Sequence, residues 1–247
     1  MLEVASCRFT GYKFKNTMRK ITFLLVMQLV LLACQKNKAI EGQGIQIPLE
    51  CNTSEEFSIN LLHLFAIDRD NRIVHHETFT SSDIRENTLH TILPLGRYRL
   101  ALVANAPGKS IVIPETGETL ESLSLCLPHE KNTNQEASDI FTALQSVSIT
   151  ESKNTLPPIR LLPRTGALHF SLHEIPGEIS NLNLELSFVP SSVSFSGSTT
   201  NTFGTITKPV DPQGKATIRT FPTKKGEATL SITYDENNKS KRKIIPF

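Results

Sequence analysis

Alternation of apolar and polar side chains with a period of two is the feature that most limits what this 247-residue chain can fold into. Leu168, Phe170 and Leu172 alternate with His169, Ser171 and His173, and Leu182, Leu184, Leu186 and Phe188 alternate with Asn183, Glu185 and Ser187. Successive side chains of a strand point to opposite faces, so each stretch reads as a strand with one packed face and one solvated face. Residues 216–221 and 230–234 add strands of the same kind, and 243–247 a last, edge-like one. Residues 58–67 differ, because apolar side chains stand on both faces, as in a strand covered from both sides. A turn at 68–72 and a half-polar strand at 73–79 follow. Further strands are expected at 88–93, 98–104, 111–113, 123–126 and 146–150, with a break at 94–96. One short helix is expected over 137–144, with Ser138 or Asp139 as its cap. Together the spacing predicts an all-β protein. Two antiparallel β-sandwiches in series are expected, residues 45–163 and 164–247, divided at 163–166.

The N-terminal residues carry a different signal. Arg19 and Lys20 precede a 13-residue apolar run, 21–33, which ends Leu31-Leu32-Ala33-Cys34. A membrane span needs around 20 apolar residues, so this run is the hydrophobic region of a secretion signal and not a transmembrane helix. The last four residues match the bacterial lipoprotein box: an apolar residue, a small residue before the scissile bond, and a thiol to carry the lipid. Residues 1–33 therefore read as a lipoprotein signal peptide, with 1–17 an upstream extension and Met18 the more natural start. Cys34 is the expected lipidation site and 34–44 a polar, lipidated tether. Gln35 follows, in place of the Asp that retains lipoproteins in the inner membrane, so the expected location is the outer membrane. Burial of acyl chains gives about 0.8 kcal/mol per CH₂, enough for a stable anchor.

Charge and cysteines follow from that cleavage. Residues 1–33 hold five basic side chains against one acidic, leaving 21 basic and 23 acidic residues after them. That balance, with no Trp and 3 Tyr, offers no basic, aromatic-studded surface for nucleic acid. Of the four cysteines, Cys7 lies in the segment to be removed and Cys34 carries lipid. Cys51 and Cys126 remain in an oxidising compartment. A disulfide between them is one reading, and two separate buried thiols the other.

Several short patterns suggest chemistry and fail on geometry. His169 and His173 would converge on a metal if helical, but on a strand four residues span about 13 Å. His75 and His76 point to opposite faces of their strand. Asp68-x-Asp70 opens like a calcium loop, but Arg72 and Ile73 occupy the next ligand and turn positions. Gly108-Lys109-Ser110 ends like a phosphate loop, but Val103 stands where its first Gly belongs and 111–113 continues as a strand. No nucleophile elbow occurs and no Cys has a nearby His base. The expectation is a non-enzymatic β protein with no cofactor, no metal and no catalytic residue.

Three segments carry a resemblance. Leu62-His-Leu-Phe-Ala-Ile-Asp68 is followed by a polar turn and a return strand. Leu93-Pro-Leu-Gly-Arg-Tyr-Arg-Leu-Ala-Leu-Val-Ala-Asn-Ala-Pro107 is the second. Asp139-Ile-Phe-Thr-Ala-Leu, then Val147-Ser-Ile, then Leu161-Leu-Pro-Arg-Thr-Gly-Ala-Leu-His-Phe170 is the third. In this order behind a lipoprotein box, over residues 58–190, they resemble the FimB-type anchor and fimbrillin lipoproteins of type V pili. The resemblance implies two transthyretin-like β-sandwiches, pilins as partners and assembly by strand exchange. Stalk subunits of that family are cut after an Arg near the N-terminus. Between Cys34 and residue 58 this chain has no Arg, only Lys36 and Lys38, which favours an anchor over a stalk subunit. The basic and apolar end 240–247 reads equally as a strand to be donated or as the domain's own edge strand. The alternative function is a surface lipoprotein that binds carbohydrate or another ligand through the same sandwich, a reading the lack of Trp disfavours.

Overall fold

A computed structural model of the protein describes residues 42–51, 58–130, 133–152, 154–173, 179–199, 201–223 and 227–245. The fold is all-β. Its strands are β1 Gly42–Cys51, β2 Leu61–Ile67, β3 Ile73–Thr80, β4 Ile84–Arg85, β5 Thr88–Pro94, β6 Gly96–Ala104, β7 Ile111–Val112, β8 Ser124–Cys126, β9 His129–Glu130 and β10 Thr133–Asn134. They continue with β11 Phe141–Ile149, β12 Ile159–Pro163, β13 Gly166–Ser171, β14 Ile179–Pro190, β15 Ser192–Ser194, β16 Phe203–Pro209, β17 Lys215–Thr220, β18 Thr229–Glu236 and β19 Lys239–Ile245.

Eight strands form one sheet in the order β3-β2-β6-β11-β12-β1-β5-β4, and six form a second in the order β19-β18-β14-β16-β10-β9. Smaller sheets are β13-β17 and β15-β8-β7. Most neighbours are antiparallel, as alternation and short turns favour. Among the described residues two pairings are parallel, β1 with β12 and β10 with β16.

The run that reads as apolar on both faces explains how the layers join. Leu62, Leu64 and Ala66 of β2, with Leu100, Leu102 and Ala104 of β6, point into a first core that also holds Ile47 of β1 and Leu89 of β5. Phe65 and Ile67 of β2, with Ala101 and Val103 of β6, point the other way. There they meet Leu184 and Leu186 of β14, Ile218 of β17, Leu230 of β18, and Phe221, which follows β17. Both faces of the eight-stranded sheet are thus packed, each buried Leu or Phe contributing about 1.5–3 kcal/mol.

That second core also recruits Leu120, Leu123 and Leu125, which lie before the expected boundary at 163–166. β8 pairs with β15, Val193 opposite Leu125, and β10 pairs with β16, Asn134 opposite Ile206. Residues 111–134 were expected in the first sandwich. They instead cross to the C-terminal strands, because their apolar side chains are needed to close the second core.

Two other expectations change. The helix expected over 137–144 does not form. Phe141 opens the β11 ladder with β6, which runs from Phe141 opposite Ala104 to Ile149 opposite Gly96. A helix of two turns is marginal by itself, and nine paired residues outweigh its propensity. The alternation through Phe188 also breaks. A bulge between Ser187 and Val189 sets Phe188 at φ +61° with its side chain 59% exposed, while Val189 is fully buried. The extra residue turns the strand by one step, so Val189 takes the inward place.

The lead into the C-terminal part is fixed by Arg164. Its Nε donates to Thr142 Oγ1 at 2.6 Å and its Nη2 to the Phe195 carbonyl at 2.6 Å. Thr165 Oγ1 donates to the Ser138 carbonyl at 3.0 Å. Partial burial holds the guanidinium below its usual pKa. Hydrogen bonds from a charged group contribute about 1.5–3 kcal/mol. Arg164→Ala is therefore expected to lower unfolding stability by roughly that amount in urea titration, and Arg164→Lys not to restore it, since an ammonium cannot reproduce two donors held in one plane.

Candidate functional site

The residues expected to carry function are Cys34 and the open strand edges of the sheets. Cys34, the expected signal peptide 1–33 and the expected tether up to residue 41 lie outside the described residues. β1 begins at Gly42, eight positions after Cys34, and its Ile45, Ile47 and Leu49 are buried in the first core. β1 is an inner strand of the sheet, between β12 and β5.

The structure does not bring Cys51 and Cys126 together. Cys51 ends β1 and packs on the first core, Cys126 ends β8 in the three-stranded sheet, and no disulfide joins them. Burial pushes the Cys126 thiol above its usual pKa, which keeps it protonated and a poor nucleophile.

The histidines divide as strand geometry requires. His169 sits on β13 opposite Thr217, 3.2 Å from its hydroxyl, and His173 is exposed. His75 turns toward Glu77, 3.4 Å away. His76 turns to the other face, where it stacks on Phe65 with ring centres 4.4 Å apart and on His63 at 5.6 Å. Among the described residues no group of three or more metal-ligating side chains occurs.

The pairing of His63 with His76 was not anticipated. His63 lies on β2, only 5% exposed, with Thr78 Oγ1 3.2 Å from its Nδ1. Burial first, and His76 second, hold His63 below its ordinary pKa; burial first, and His75 second, do the same to His76. Folded-state values below the unfolded value mean that the unfolded chain binds more protons once pH drops under about 6.5. Stability should therefore be flat above neutrality and fall as pH is lowered from about 6.5 toward 5. His63→Leu should flatten that slope, measured as urea midpoints at several pH values; an unchanged slope would contradict the assignment.

Two long strands close the large sheets. β3 lies at one rim of the first sheet, and its start is covered: Ile73 N–H donates to the Glu118 carbonyl at 2.8 Å and Gly117 N–H to the Ile73 carbonyl at 2.8 Å. β19 lies at the rim of the second sheet and pairs with β18 over seven positions, Leu230 opposite Ile245 to Glu236 opposite Lys239. Of the two readings of the chain end, the domain's own edge strand is the one observed; residues 246 and 247 lie outside the described residues.

The connecting turn explains why. Asn237 and Asn238 have φ +52° and +60°, the double left-handed conformation of a type I′ hairpin turn, which Asn tolerates best after Gly. The Asn-Asn pair between two strands is a hairpin signal present in the sequence itself. On β19, Arg242 pairs with Glu185 and Lys241 with Glu236, while Ile244 is 65% exposed. A row of cations with one apolar side chain deters self-pairing yet leaves backbone donors and acceptors for an incoming strand.

Comparison with known proteins agrees with this architecture. Residues 52–245 match the family model of the fimbrillin-A associated anchor proteins Mfa1 and Mfa2. No curated protein sequence matches the chain. Among solved structures, a Bacteroides thetaiotaomicron protein described as polysaccharide-binding is similar at 14% identity, covering 81% of this chain and 78% of that one, with TM-score 0.65. A Bacteroides ovatus protein described as an adhesin is similar at 12% identity over 82% and 75%, with TM-score 0.59. The fimbrial anchor protein Mfa2 of Porphyromonas gingivalis is similar at 15% identity over 79% and 78%, with TM-score 0.51.

Proposed function

We infer from the family to which this chain belongs, the fimbrillin-A associated anchor proteins, that it is a fimbrial anchor or minor fimbrial subunit at the outer membrane. In this reading a lipid on Cys34 holds the protein to the bacterial surface, and pilins are its partners. The observation that carries it is the family match over residues 52–245, directly behind a lipoprotein box. The absence of Arg between Cys34 and residue 58 supports retention of the lipidated end, which an anchor needs and a released stalk subunit does not.

Pilin attachment proceeds through backbone pairing at a sheet edge. The edge best suited is β19, whose end is already committed to β18 and which therefore receives a strand and does not donate one. No side chain acts as a catalyst in this scheme.

Cys34→Ser tests the anchor directly. The variant is expected to leave the membrane fraction, and fimbriae to be shed into the medium. Fimbriae that stay cell-bound, with the variant still in the membrane fraction, would contradict the assignment.

A further inference from the structure

We propose that a cleft at the turn end of the eight-stranded sheet is a binding site for a carboxylate-bearing sugar. The cleft has a volume of ≈ 490 Å³, within the usual range for small-ligand sites. It arises from a mismatch in strand length. The last pair between β2 and β6 is Ile67 with Arg99, whereas β11 continues alongside β6 as far as Gly96. Past Ile67 the chain turns away through residues 68–72, so one side of β6 from Gly96 to Tyr98 is left without a neighbouring strand.

Three arginines gather in this notch. Arg97 stands opposite Ser148 and Arg99 opposite Ser146, so these four side chains share one face of the sheet. Arg69 reaches the rim from the turn, and Ile67 lines the buried side. One acid also lines the cleft: Asp68, whose Oδ1 accepts the backbone N–H groups of Asp70 and Arg72, each at 2.9 Å. Arg99 is held by donating to Asn71 Oδ1, while Asn71 Nδ2 donates to Glu121 at 2.7 Å. Arg69 and Arg97 form no ion pair among the described residues.

Like charges brought together on one surface repel, and an anion seated between them removes that cost. A guanidinium presents its donors as a planar fork that matches a carboxylate. Ser146 and Ser148 add small hydroxyls beside the arginines, suited to the ring hydroxyls of a sugar. Ile67, Tyr98 and Val147 give the lining an apolar part, which the C–H face of a sugar ring can cover. A hexuronate unit within a short saccharide meets each of these features.

Isothermal titration of tetragalacturonate into the detergent-solubilised full chain tests the site, with cellotetraose and tetraglutamate as comparators. Tetragalacturonate is expected to bind and cellotetraose to give no heat. Arg97→Gln and Arg69→Gln should each weaken binding by roughly tenfold or more, the loss expected for one charge-assisted hydrogen-bonding group. Both side chains are exposed, so the melting temperature should not move. Absence of tetragalacturonate binding, equal binding by the variants, or tighter binding of tetraglutamate would each overturn the proposal.

Discussion

Burial of both faces of β2 and β6 is the constraint on which the remaining structure depends. A strand with one apolar face can complete a single sandwich, but Phe65 and Val103 on one side and Leu64 and Leu102 on the other demand two covers. The first is supplied by β1, β5 and β12 of the same sheet, the second by β14, β17 and β18. The crossing of residues 111–134 to the C-terminal strands follows, since Leu123 and Leu125 complete the second cover. Arg164 then ties β11 to the Phe195 carbonyl across the same junction.

This arrangement suits a protein that belongs to a family of fimbrial anchors. With the proposed lipid on Cys34, tension would enter through β1, which lies inside the first sheet, beside β12 in parallel and held by Ile45, Ile47 and Leu49. The proposed attachment edge, β19, belongs to the second sheet. A core shared by strands of both sheets couples the two without a flexible linker. In the proposed attachment, the cation-rich character of β19 would protect an edge that stays unpaired until a partner arrives.

Much of this was legible in the residues, and the failures have identifiable causes. The period of two fixed the strands, and the doubly apolar run 58–67 announced a strand packed from both sides, which β2 is. Sequence order nevertheless suggested two separate domains, because alternation reports which face is buried and not which strand covers it. Residues 137–144 read as helix because a short apolar cluster behind Ser138 and Asp139 resembles a capped turn, and the ladder with β6 decided otherwise. Phe188 kept the alternation in sequence but lost it to a bulge. The His63–His76 pair and the arginine cleft depend on register between strands distant in sequence, which a single chain does not display. The Asn237-Asn238 hairpin turn, by contrast, was readable and settles the fate of the chain end.

One doubly covered sheet gathers residues 43–247 into one compact unit, which should therefore unfold cooperatively. Native-state hydrogen exchange of the buried ladder amides in β6 and in β14 tests it most directly. Both sets are expected to exchange through the same global opening, with equal free energies and equal dependence on denaturant. Exchange of the β14 and β18 amides at a distinctly lower free energy than those of β6 would show two independently unfolding domains and contradict it.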